Sequence, residues 1–169
     1  MKKLFLTLVI AFAGIFTANA QVWLGGSLGG YTNKHDARLT ISPEIGYSFA
    51  NSHWTIATAA EFSYVNDKDL QTSNTSFALN PYVRYSMMNV EKFNIFMDLT
   101  ADLALAGYPE FGYRIALQPG AAWMATEHWT AAFRFGILGY DNKGYFSGHQ
   151  GFNFGFATVA PSFGLYYNF

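Results

Sequence analysis

The chain has 169 residues, of which 51% are hydrophobic, 19% aromatic and only 12% charged, with a formal net charge of −1. Without a basic excess, nucleic acid is excluded as a natural partner; without a cysteine, so are a disulfide framework, a lipid anchor on cysteine and any thiolate metal site. So much apolar and aromatic surface with so few charges must be covered, either by a core or by a membrane.

Met1-Lys2-Lys3, the apolar run from Leu4 to Thr17 and the small-x-small triplet Ala18-Asn19-Ala20 have the three parts of a secretory signal peptide. Residues 1–20 are therefore expected to be removed, leaving 21–169 as one domain. Its charge is more negative than that of the whole chain, because Lys2 and Lys3 leave with the leader.

After Gln21 no helical period is visible. Eight segments with period-two alternation follow, over about 22–32, 38–49, 54–65, 75–87, 93–105, 113–124, 129–139 and 152–169. Strands of ordinary domains peak near 5–6 residues, whereas a tilted membrane-crossing strand needs about 9–11. The connections Ala50 to His53, Met88 to Lys92 and Ala125 to His128 are tight, and those over Asn66 to Asn74 and Tyr140 to Gly151 are longer. Short turns at one end and longer loops at the other are the habit of a transmembrane barrel.

The faces of these segments differ in kind. In the second, Leu39, Ile41, Ile45, Tyr47 and Phe49 oppose Thr40, Ser42, Glu44, Gly46 and Ser48. In the fifth, Phe93, Ile95, Met97, Leu99 and Leu103 oppose Asn94, Phe96, Asp98, Thr100 and Asp102. The small and polar faces carry too little charge to clothe a soluble barrel, so they are expected to point inward and the bulky faces outward. By parity alone Glu44, Glu61, Arg84, Asp98, Asp102, Arg114 and Arg134 fall inside, where carboxylates and guanidiniums must pair. A plugged lumen is expected, not an open pore. Trp23, Trp54, Trp123 and Trp129 lie at segment ends near one rim, and Tyr31, Tyr64, Tyr113 and Tyr140 near the other, as expected of aromatic girdles at two membrane interfaces.

Pro43, Pro81, Pro119 and Pro161 recur 38, 38 and 42 residues apart, one in each even-numbered segment, so the unit is a hairpin repeated four times. A proline in a paired strand removes a ladder donor, and its recurrence points to a bulge or a tolerated break. In the last segment Phe163, Leu165, Tyr167 and Phe169 share one face and end on an aromatic residue.

With its leader, eight alternating segments, proline-marked hairpins and terminal Phe169, the chain resembles the small OmpA/OmpX-type outer-membrane barrels of Gram-negative bacteria. The resemblance implies an all-β, eight-stranded antiparallel up-and-down transmembrane β-barrel in the outer membrane. It also implies contact with lipid and lipopolysaccharide, a monomeric state, and an assembly signal at Phe163, Leu165, Tyr167 and Phe169 for the barrel-assembly machinery. The expected role is structural or surface-interacting. The alternative is a narrow porin-like conduit for ions or small molecules, and a lipid A-modifying enzyme comes third.

For catalysis, Ser147, His149 and Asp36 or Asp141 would have to form a triad. The His-x-Ser spacing of lipid A deacylases is absent, and His53 and His128 sit beside tryptophans at turns, where an interfacial role is expected. No enzyme activity, cofactor or metal is expected; His35, Asp36 and His149 are the residues a metal would need.

Overall fold

The computed structural model describes residues 21–32, 34–69, 71–146, 150–155 and 161–169, so the expected leader lies outside the described residues. Among these residues there is no helix. The strands are β1 (Gln21–Thr32), β2 (Asp36–Ser48), β3 (Trp54–Asp67), β4 (Thr72–Val90), β5 (Phe93–Ala106), β6 (Gly112–Met124), β7 (Trp129–Arg134), β8 (Ile137–Asp141), β9 (Gly151–Gly155) and β10 (Ser162–Asn168). All pairings are antiparallel, and the sheet closes on itself where β10 meets β1, from Trp23↔Asn168 to Gly29↔Ser162. β7 and β8 are two halves of one stave and β9 and β10 of another, so the architecture is a closed, eight-stranded up-and-down barrel.

The unbroken seventh and eighth segments expected from sequence are corrected here. β6 pairs with β7 from Met124↔Thr130 to Gly120↔Arg134 and with β8 from Leu117↔Leu138 to Arg114↔Asp141, so the stretch from Thr130 to Asp141 holds one residue more than the facing stretch of β6 from Arg114 to Met124. The surplus is a bulge at Phe135 and Gly136, where the glycine takes a φ of +72° that a side chain would disfavour. The eighth stave divides into β9 and β10, and residues 156–160 between them lie outside the described residues.

The four prolines now have a physical account. In an antiparallel sheet the N–H and C=O of one residue point to the same neighbour, so a proline forfeits a bond on one side only. Toward the preceding strand the register runs on through Gly26↔Pro43, Thr58↔Pro81 and Met97↔Pro119. Toward the following strand it lapses. β2 and β3 skip from Ile41↔Phe62 to Glu44↔Ala59, and β4 and β5 from Leu79↔Leu103 to Tyr82↔Thr100. Pro119 faces the bulge, its carbonyl accepting from the Phe135 N–H at 3.1 Å, and the β10 ladder to β1 begins just after Pro161.

Alternation delivers the two faces. On β5, Phe96, Asp98, Thr100, Asp102 and Ala104 are buried in the lumen while Phe93, Ile95, Leu99 and Leu105 stand about half-exposed on the outer wall. The same holds around the barrel for Leu28, Ile41, Ile56, Val83, Ile115, Leu117, Phe133 and Leu165. Eight staves leave an interior just wide enough for side chains to fill. The longer links expected over 66–74 prove shorter, because β3 and β4 continue as a polar ladder from Asn66↔Ser73 to Asp67↔Thr72 beyond the apolar band.

Trp23 is a further correction. Expected in the girdle, it is 5% exposed and lies inside, sharing the inward parity of Ser27 on β1. Gly46 is its register partner, and a Cβ there would collide with the indole; Tyr166 meets the ring edge-on at 4.9 Å. Trp54, Trp123 and Trp129 do stand on the outer face. Trp54 packs on Tyr85 and Trp129 on Tyr167.

Candidate functional site

The charged residues of the lumen form two clusters. The first, nearer the tight turns, is centred on Arg134, carried inward on the last residue of β7. Its Nε donates to Asp98 Oδ2 (2.9 Å), Nη1 to Glu44 Oε1 (3.1 Å) and the Tyr166 hydroxyl (2.9 Å), and Nη2 to Glu44 Oε2 (2.9 Å) and the Tyr82 hydroxyl (2.9 Å). Glu44 also accepts from Ser27 Oγ at 2.6 Å and from the Tyr82 hydroxyl at 2.7 Å. Arg84 forks onto Asp98, Nε to Oδ1 at 2.7 Å and Nη2 to Oδ2 at 2.8 Å, and its guanidinium lies 3.6 Å from the Phe96 ring centroid. Two carboxylates thus meet two guanidiniums, with Asp98 wholly enclosed.

Gly120 makes this arrangement possible. A Cβ there would strike both the Phe96 ring and the Phe133 carbonyl, so only glycine lets the phenyl lie flat under Arg84.

The second cluster lies nearer the loops. Arg38 Nη2 donates to Glu61 Oε1 and to Ser63 Oγ, each at 3.0 Å, and Arg114 Nε donates to Asp102 Oδ2. Asn80 Nδ2 bridges the two pairs through Glu61 Oε2 (3.2 Å) and Asp102 Oδ1 (2.9 Å). Asp141, wholly buried at the end of β8, accepts from the backbone N–H groups of Lys143, Gly144 and Phe146.

All seven lumen residues nominated by parity therefore lie inside and engage a partner of opposite charge. Glu44, Arg84, Asp98 and Arg134 come together in one group, and Glu61, Asp102 and Arg114 in the other. Arg38, Asn80, Tyr82, Asp141, Tyr166 and Ser27 were not nominated. Arg38 shares the parity of Glu44 on β2 and Tyr166 that of Ser162 on β10, so alternation carried the signal for both.

The residues of the final segment occupy the outer wall, with Phe163, Leu165 and Phe169 exposed and Tyr167 stacked on His128 at 5.4 Å. Phe169 is tied to the first strand by its N–H, which donates to the Val22 carbonyl at 3.0 Å. Of the residues a triad would need, Ser147 and His149 lie outside the described residues, and the Asp141 carboxylate is engaged by backbone donors. His35 Nδ1 contacts Asp69 at 2.7 Å in an exposed loop pair. Among the described residues no three acidic or histidine side chains are placed to hold a metal.

Every charged side chain named in the two clusters comes from a strand and is held by at least one neighbour on another stave or on the adjoining turn. Such a site defines a class: a closed β-barrel whose lumen is filled by ion pairs, with its apolar side chains turned outward. The chain matches no protein-family model, and no curated protein matches it.

Proposed function

We propose that the chain is an integral outer-membrane barrel of the small OmpA/OmpX type, exported by its first 20 residues and acting as a structural or surface-interacting protein without turnover. The observation that carries the membrane reading is the inversion of polarity: Leu28, Ile41, Ile56, Leu99, Ile115, Leu117 and Leu165 form a girdle of exposed aliphatic side chains while the charges lie within. Such a continuous apolar belt has no business in water, and in lipid a closed barrel satisfies its backbone without edges. The two charge clusters support a sealed lumen, because moving an ion through them requires parting arginine from carboxylate in a low-dielectric interior.

Cell fractionation tests the location: the protein should sediment with outer membrane and resist alkaline extraction, and recovery in the soluble fraction would refute the reading. Planar-bilayer recording tests the seal. Little or no steady conductance is expected from the native chain, and discrete openings from Arg134→Ala; steady native pores would favour the conduit instead.

A further inference from the structure

The loop-side cluster is roofed by a turn of the chain's own making. After Asp141 the chain turns back over the mouth at residues 142–146, with Gly144 at a φ of +74°. Asp141 belongs to the wall, paired in register with Arg114. Its carboxylate reaches into the turn and accepts from Lys143 N–H (3.2 Å) and Gly144 N–H (2.7 Å) at Oδ1 and from Phe146 N–H (2.9 Å) at Oδ2. Two lumen guanidiniums hold the turn from below. Arg114 Nη1 donates to the Phe146 carbonyl at 3.3 Å and Arg38 Nη1 to the Tyr145 carbonyl at 3.4 Å.

Packing completes the closure. Phe146 is buried against Ala78 and Ala104, with Arg114 5.3 Å from its ring centroid, and Tyr108 lies 5.0 Å from Tyr145 and 5.8 Å from Phe146. Gly112 leaves space for Tyr145, whose ring carbons would come within 2.6–2.7 Å of a Cβ at that position.

We propose that residues 142–146 form a cap latched to the wall through Asp141, closing the loop-side mouth separately from the turn-side ion cluster. The proposal rests on the sealed-lumen reading and adds a second, releasable closure to it. The two closures differ in build. The turn-side cluster is made of side chains on paired strands, whereas the cap is a connecting turn held by the Asp141 carboxylate, two arginine-to-carbonyl bonds and a small aromatic cluster. At its rim two exposed contacts add to this: Asn142 exchanges hydrogen bonds with the Tyr113 backbone (3.0 and 2.7 Å), and Lys143 pairs with Glu110 at 2.5 Å. Segments of that second kind open at lower free energy than the strands beneath them. Opening would bare Arg38, Glu61, Ser63, Asn80, Asp102 and Arg114 to the outside water while the turn-side cluster stays shut.

The chain lacks cysteine, so single reporters are clean. S76C places a thiol at a buried β4 position, in register with Ser63 on the loop side, and S27C places one in the turn-side cluster. Folded protein in detergent micelles is exposed to a charged methanethiosulfonate reagent. With the native cap both thiols should react slowly. Asp141→Asn, and independently Phe146→Gly, should speed labelling of S76C about tenfold or more, the loss expected when hydrogen bonds to a buried charge or their packing are removed. S27C should remain protected throughout.

S76C rates unchanged by both variants would overturn the cap, as would rapid labelling of S76C under the native turn. Simultaneous exposure of S27C by either variant would also overturn it, since the barrel as a whole would then have loosened. S27C reactive in the native background would instead defeat the sealed lumen, while acceleration confined to S76C would still support the cap.

Discussion

Removing Arg134 should be among the costliest single changes in this protein. Its guanidinium donates five hydrogen bonds to four residues, and it is the cation paired with Glu44. In Arg134→Met the apolar stem is kept, Asp98 retains its fork from Arg84, and Glu44 is left with hydroxyl donors and no counter-charge. Summing five bonds would overstate the loss, because the hydroxyls can turn toward the stranded carboxylate. The governing quantity is an uncompensated buried charge, which costs about 3–5 kcal/mol. Neutralising the partner as well, in Glu44→Gln with Arg134→Met, removes the stranded charge and should recover about 2 kcal/mol or more of that loss. The assay is urea unfolding in micelles followed by tryptophan fluorescence, with heat-modifiable gel mobility as the check on folding. A cost below about 1 kcal/mol for Arg134→Met, or strictly additive costs in the double variant, would refute the reasoning.

Leu99 stands 49% exposed midway along β5, and if lipid surrounds it Leu99→Arg should cost about 2–4 kcal/mol in bilayer refolding; in water the same surface change would stay within about 0.5 kcal/mol, so a neutral result would refute lipid contact. Gly120→Val should displace Phe96 from beneath Arg84 and lower stability by about 1–3 kcal/mol in the urea assay, with partial recovery when Phe96→Leu is added; no loss would show that the phenyl does not need the missing Cβ. Burial pushes the Tyr108 phenol above its ordinary value of 10.0. Its neutral form is thus favoured in the folded state, and the stability it contributes is fully present below pH 10 and is lost as pH rises through the higher folded value. Unfolding at stepped alkaline pH should show a fall that is shallower in Tyr108→Phe, and identical profiles would discount this phenol.

Much of this barrel is legible in strings of alternating residues. Side chains of a strand alternate by geometry, so Glu44, Asp98, Asp102, Arg114 and Arg134 could be assigned to one face, and Leu99 and Leu165 to the other, before any pairing was known. The hairpin repeat marked by Pro43, Pro81, Pro119 and Pro161 was equally visible, because a missing N–H recurs at intervals of 38, 38 and 42 residues, once in each hairpin. Partners were not visible. Arg134 and Glu44 are ninety positions apart and meet only because β10 closes against β1 and brings opposite walls together. Trp23 shows the same limit: β1 is so rich in glycine that its parity is ambiguous, and the indole turns inward because Gly46 on the neighbouring strand leaves it room. Nor does alternation reveal the bulge at Phe135 and Gly136 or the inward turn at 142–146, which answer to a facing proline and to a carboxylate at the end of a stave. Where a strand alternates clearly, sequence by itself determined which side chains face the lumen, since that follows from local backbone geometry. Only the tertiary structure decided which of them touch, because those contacts depend on register and closure.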